Sequence, residues 1–152
     1  MSKILLSFFY VGYLPKAPGT WASLACLPIF YFLYPLTPRP IYSLFFTLLL
    51  VLSAYLAQKH TVTTKEKDPG WIVIDEVLGV MVAWPTLKTN HWQEILLLFI
   101  LFRFFDITKI WPASYYDKKN SGWGIMLDDI VSGIYTAISL IALQQVLNFP
   151  LF

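Results

Sequence analysis

Residues 41–57 carry no charge at all, and much of the chain is built of runs like this one. Such a run has two homes. One is a bilayer, whose hydrocarbon takes about 20 apolar residues to cross as a helix. The other is the interior of a compact helical protein. Composition favours the bilayer: 57% of the 152 residues are hydrophobic and 13% are charged, with a mean hydropathy of +0.61. A soluble domain averages about 25% charged residues. Several runs are shorter than a full crossing, so a soluble bundle of very apolar helices stands as the alternative.

In lipid the backbone has to satisfy its own hydrogen bonds, which makes helices the expected element. Five apolar stretches have helical length: residues 21–34, 41–57, 71–84, 92–110 and 128–147. The first follows a Pro18-Gly19-Thr20 turn with Thr20 as N-cap, and Pro28 is expected to kink it. Polar connectors occupy residues 58–70 and 113–124. Residues 4–11 read as a short interfacial element. They are not read as a cleaved signal, because Pro15-Lys16-Ala17-Pro18 follows where small residues would mark cleavage. The expectation is an all-α, compact, integral-membrane bundle of about five long helices plus a short N-terminal interfacial helix, forming one domain over residues 1–152.

Charge gives this bundle a direction. Alternating crossings put Lys3, Lys16, Lys59, Lys65, Lys67, Lys109, Lys118 and Lys119 on one side, against Arg39 and Lys88 on the other. Cationic loops stay in the cytoplasm, so the amino terminus is expected inside and the carboxyl terminus outside. The carboxylates follow the same partition. Asp68, Asp75, Glu76, Asp106, Asp117, Asp128 and Asp129 fall at the inner end, and Glu94 falls at the outer end. A charge inside an apolar helix costs about 2.5–3.5 kcal/mol. Acids gathered at one depth therefore point to a purpose, and a hard divalent cation is what clustered carboxylate oxygens suit.

Each block also has a plainer explanation. Asp75 and Glu76 in IVIDEVLG favour a helix dipole, although both can serve an ion lying between helices, and Gly79 clears space one turn further on. Arg103, Asp106 and Lys109 recur every third residue, as a salt-bridge ladder does. They equally place a metal-binding carboxylate between two phosphate-binding cations. Asp128 and Asp129 open the last expected helix, where a cap needs only one acid. Asp68 lies in an ordinary Asp-Pro-Gly turn. The segment GYLPKAPGTWASL offers a helix start for phosphate at Gly19 and Thr20, with Ser23 and Lys16 assisting.

Other chemistries fit poorly. A net charge of +2, with no basic aromatic stripe, argues against nucleic acid. Cys26 lies in an apolar run without a following arginine, His60 and His91 fall on opposite sides, and no GxxxxGK[ST] loop occurs. Carboxylates, lysines and hydroxyls remain, and these suit metal-assisted attack of water on an anionic substrate.

The blocks GYLPKAPGTWASL, DPGWIVIDEVLG, FRFFDITKIWP and GIMLDDIVSG, in this order and over nearly the whole chain, resemble the phosphatidylglycerophosphatase A family. The resemblance implies an all-helical bacterial inner-membrane enzyme. Its reaction is Mg²⁺-dependent removal of the terminal phosphate of phosphatidylglycerophosphate, leaving phosphatidylglycerol. The family's acidic positions fall on Asp68, Asp75, Glu76, Asp106, Asp128 and Asp129, and its basic position falls on Lys109. The chain departs from the family at Ala22, at Asn120-Ser121-Gly122 and at Ile110, where the helix is expected to run further.

The resulting expectation is specific. Mg²⁺ is held at the cytoplasmic side by a subset of Asp75, Glu76, Asp106, Asp128 and Asp129. Asp68 or Asp75 serves as general base, with an aspartyl-phosphate route as a variant. Lys109, Arg103, Lys16 and the Gly19-Thr20-Ser23 helix start hold the phosphate. The partners are the lipid substrate and the bilayer, with no protein partner named. Three rivals stand beside it. A carboxylate-lined ion carrier or channel predicts acids spread through the membrane, and a structural module predicts one cation per acid. A related helical phosphatase would act on another phosphomonoester.

Overall fold

The computed structural model describes residues 2–64, 69–89, 91–119 and 121–146. Among these, the chain forms seven α-helices and no strand: α1 (Ser2–Leu6), α2 (Pro18–Leu33), α3 (Arg39–Thr64), α4 (Ile74–Ala83), α5 (Trp92–Thr108), α6 (Ala113–Asp117) and α7 (Gly122–Val146). The all-helical expectation holds. Three segments are long and apolar enough to cross a membrane: Pro18–Leu36, Arg39–Thr64 and Gly122–Gln145.

Helix α3 shows why the sequence is so apolar. Its 26 residues extend about 39 Å, more than a hydrocarbon core. Ile41, Leu44, Phe45, Leu48, Val51, Leu52 and Tyr55 are all exposed along it. They recur at steps of three and four, so they form one apolar stripe on the outside of the bundle. The inward side carries small residues, Ser53, Ala54, Ala57 and Thr61. In water such a stripe would be an aggregation liability, whereas in lipid it is solvated.

The expected third crossing is corrected. Helix α4 has ten residues, about 15 Å, half the hydrocarbon thickness. The chain ahead of it is held in a loop, where the Val73 N–H donates to the Leu6 carbonyl at 2.9 Å. A 3₁₀ turn, Trp84–Thr86, follows it. Eight of the ten α4 residues are buried. The run from 71 to 84 is apolar because protein surrounds it, and a periodicity argument does not distinguish that from lipid.

Helix α7 is the hub, packing on α3, α4, α5 and α6, with its most extensive contact against α4. It begins at Gly122, ahead of the expected start at Asp128. Without a side chain Gly122 sits against the α3 backbone, and its N–H donates to Gln58 Oε1 at 2.7 Å. Where α4 and α7 cross, a Cβ on Gly133 would strike the Gly79 carbonyl, and one on Gly79 would strike the Asp129 carbonyl and the Phe102 ring. Asp75 lies four residues before Gly79, and Asp129 lies four before Gly133. Residues four apart share a helix face, so backbone contact at the glycines draws the two aspartates together one turn away. The two helices run in the same direction.

Candidate functional site

A cavity of about 250 Å³ opens at the end of the bundle where α2, α4 and α7 begin and α5 ends. It gathers Asp75, Glu76, Asp106, Asp128, Asp129, Arg103, Lys109 and Gly19, together with Asp117 and Lys119 from the polar segment between α5 and α7.

Its floor is carboxylate. Asp75 is 9% exposed and Asp129 4%. One oxygen from each, with one from Glu76, lie within 4.8 Å of one another. Asp75 Oδ1 and Glu76 Oε2 are buried with no hydrogen-bond partner. Glu76 also faces the start of α2, where a Cβ on Gly19 would collide with its carboxylate. Desolvation costs several kcal/mol per ion, and like charges packed this closely add repulsion. A hard cation answers both, because the donors are all carboxylate oxygens, the set that Mg²⁺ or Ca²⁺ prefers. The residues present therefore fit a divalent metal.

The remaining acids differ in kind. Asp106, 9% exposed, pairs with Arg103 one turn earlier on α5, Nη1 to Oδ2 at 2.6 Å. Arg103 Nε is buried with no hydrogen-bond partner. Asp128 Oδ2 accepts from Lys109 Nζ at 2.9 Å, and its Oδ1 accepts from the Asp129 N–H at 3.0 Å. Lys109 also donates to Asp117. Lys109 sits in the left-handed region, φ 45°, and closes α5. The helix thus ends before Ile110, contrary to the longer run expected there. Burial alone would lower the Lys109 pKa, but the hydrogen bonds to Asp117 and Asp128 outweigh it and shift the ammonium upward. Lys109 stays charged at neutral pH.

Other expectations meet a different geometry. The N-cap of α2 is Ala17, with φ 51°, and Thr20 lies in the first turn. Proline at the first helical position has no N–H, and the Thr20 and Trp21 N–H groups both donate to the Ala17 carbonyl. Ser23 is turned inward, donating to the Gly19 carbonyl at 2.8 Å. Among the described residues, this segment lines the cavity with Ala17, Pro18 and Gly19, not with Lys16, Thr20 or Ser23. Asp68 lies outside the described residues. Asp128 and Asp129 sit more than a turn inside α7, so neither caps it. Glu94, at the other end of the bundle, accepts the Lys88 and Thr89 N–H groups at 3.0 and 3.1 Å.

The family model for phosphatidylglycerophosphatase A matches residues 4–144. A phosphatidylglycerophosphatase A of Haemophilus influenzae is 42% identical over 137 residues, spanning 90% of this chain and 84% of its own length. That of Escherichia coli is 38% identical over 130 residues, 85% of this chain and 75% of its own. A putative phosphatidylinositol-3-phosphatase of Bacteroides thetaiotaomicron is 29% identical over 146 residues, 92% of this chain and 91% of its own. No solved structure matches the chain. With the match covering nearly every residue and all four acidic blocks, this chain belongs to the phosphatidylglycerophosphatase A family.

Proposed function

We propose that the protein hydrolyses the terminal phosphomonoester of phosphatidylglycerophosphate, releasing phosphatidylglycerol and inorganic phosphate, with Mg²⁺ as its metal. The observation that carries the proposal is the Asp75–Glu76–Asp129 cluster, three ligand oxygens within 4.8 Å in a cavity that also holds Arg103 and Lys109. In this reading Asp75, Glu76 and Asp129 would hold the ion, with Asp106 and Asp128 as further candidate ligands lining the same cavity. The ion supplies charge neutralisation for the phosphoryl group and makes water a better nucleophile.

The chain's own groups do the rest. Lys109, anchored on Asp128, has a third N–H to give a phosphoryl oxygen, and Arg103 offers Nε from the α5 side. These contacts strengthen as negative charge builds on the oxygens. Asp68, or Asp75 through an oxygen the ion does not use, takes the proton of the attacking water. The new P–O bond forms as the ester P–O bond breaks, and the departing glycerol oxygen leaves as a hydroxyl after taking that same proton from the carboxyl group. Gly19 keeps the α2 backbone close enough to wall the cavity.

The reading places the protein in the bacterial inner membrane with the cavity at the cytoplasmic side. Lys3, Lys16, Lys59, Lys109, Lys118 and Lys119 occur near the cavity end of their elements, whereas Arg39 and Lys88 occur at the other, a distribution that favours that orientation. An assay of purified protein on phosphatidylglycerophosphate in mixed micelles tests the activity. Phosphate should appear with Mg²⁺ and cease with EDTA. No release from this lipid under any divalent cation would end the proposal.

A further inference from the structure

The cavity has a depth order. Asp75 and Asp129 lie at its floor, 9% and 4% exposed. The side chains of Lys109 and Asp117 lie at its rim, 32% and 37% exposed. Lys119 is a further exposed rim residue. Among the described residues three cations line this space, and two of them already have carboxylates: Arg103 holds Asp106, and Lys109 holds Asp117 and Asp128. Among the described residues Lys119 has no carboxylate partner. Its ammonium instead stands 4.5 Å from the Tyr115 ring centroid and 5.3 Å from that of Tyr116. A cation over two rings is held in place without losing its charge.

We infer that Lys119 recognises a second anionic group on the substrate, the phosphodiester joining the head group to the acylated glycerol. This rests on the lipid-phosphatase reading above and deepens it. A lipid enters such a cavity head first. Its terminal phosphate has to reach the carboxylate floor, because Asp75, Glu76 and Asp129 would hold the proposed divalent ion there. The phosphodiester, one glycerol unit back along the lipid, is then left at the rim. Among the described residues six carboxylates and three cations line the cavity, so a phosphodiester there meets net negative surroundings unless a cation is spare. Lys119 is that cation, resting on two tyrosine rings beside the cavity, and it gives the diester oxygens a charge-assisted hydrogen bond. Discrimination follows. A phosphomonoester with no second phosphate meets the same floor but gains nothing from Lys119.

The test compares two probes of different length on the purified enzyme. Phosphatidylglycerophosphate reaches both floor and rim, whereas inorganic phosphate, as a competitive inhibitor, occupies only the floor. Lys119→Ala should raise KM for the lipid about five- to tenfold with a smaller change in kcat, and leave the phosphate Ki within about twofold. Lys119→Arg should restore KM. An unchanged KM in Lys119→Ala overturns the inference, and so does a phosphate Ki that rises in parallel, since Lys119 would then act on the terminal phosphate or on the fold. Wild-type enzyme that releases no phosphate from the lipid sinks both readings, whereas normal wild-type turnover with an unmoved Lys119→Ala sinks this one alone.

Discussion

Two groups of carboxylates share one cavity yet live differently. Asp106 and Asp128 each hold a cation, Arg103 or Lys109, at hydrogen-bonding distance. Asp75, Glu76 and Asp129 crowd together, and two of their oxygens are buried without a partner. The difference teaches which acids organise the protein and which wait for something outside it. A paired acid fixes its cation's position and has already offset part of its desolvation. An unpaired buried acid is a cost the fold carries until a metal ion arrives. The contrast also bears on the structural-module alternative, which requires one cation for every acid.

The strongest way to break this contrast is to remove one acid from each group. Asp75→Asn or Asp129→Asn should reduce phosphate release on the order of a thousandfold or more, the scale seen when a group central to a catalytic unit is lost. If Mg²⁺ is the ion, it should raise the melting temperature of the wild type and leave that of these variants unmoved, because a ligand stabilises only what it binds. Thermal unfolding with and without Mg²⁺ reads this independently of turnover. If Asp106→Asn abolishes the Mg²⁺ shift while Asp75→Asn keeps it, the two groups have been assigned the wrong way round.

A smaller effect tests how the floor is assembled. Gly133 touches Gly79 backbone to backbone, and that contact sets the separation of Asp75 and Asp129 one turn away. Gly133→Ala should push α7 off α4 and destabilise the protein by about 1–3 kcal/mol, the usual range for overpacking. Activity should fall even in the fraction that stays folded, because the metal ligands move apart. Substitution on the lipid-facing stripe of α3, for example Leu48→Ala, serves as the control and should do neither. Full activity in Gly133→Ala would show that the carboxylates do not depend on the crossing.

This crossing also marks how far the sequence could be read. Helices, their rough count and the clustering of acids at one end of the bundle were legible, because charge is costly in lipid and its placement is constrained. The pairing of α4 with α7 was half legible. Gly79 stood out as a place for another helix to approach, but the same four-residue step from Asp129 to Gly133 is the signal that identifies the helix that does. The length of α4 was not legible, since a run buried in protein and a run buried in lipid have the same hydropathy. The start of α7 was hidden by its glycine-rich first turn, Gly122 to Ile125, which packs on Gln58 of α3, a contact 64 residues away in sequence. Asp117 and Lys119 read as connector residues because only the short α6 brings them back over the cavity.

Asp117 supplies the last and smallest test of the contrast, at its margin. It shares Lys109 with Asp128, yet its side chain is 37% exposed while that of Asp128 is 9%. Exposed ion pairs are worth about 0.2–1 kcal/mol after solvent screening, so Asp117→Asn should lower kcat/KM only a few-fold. Lys109 keeps its buried anchor in that variant and its ammonium stays at the cavity. Asp128→Asn should cost considerably more, since the lysine then swings toward the rim and the phosphoryl group loses its contact. In a Lys109→Ala background the Asp117 substitution should add nothing, because its only route to the substrate runs through that ammonium. An undiminished effect there, measured as a double-mutant cycle on kcat/KM, would mean that Asp117 belongs with the unpaired acids of the floor and that the division between the two groups is drawn in the wrong place.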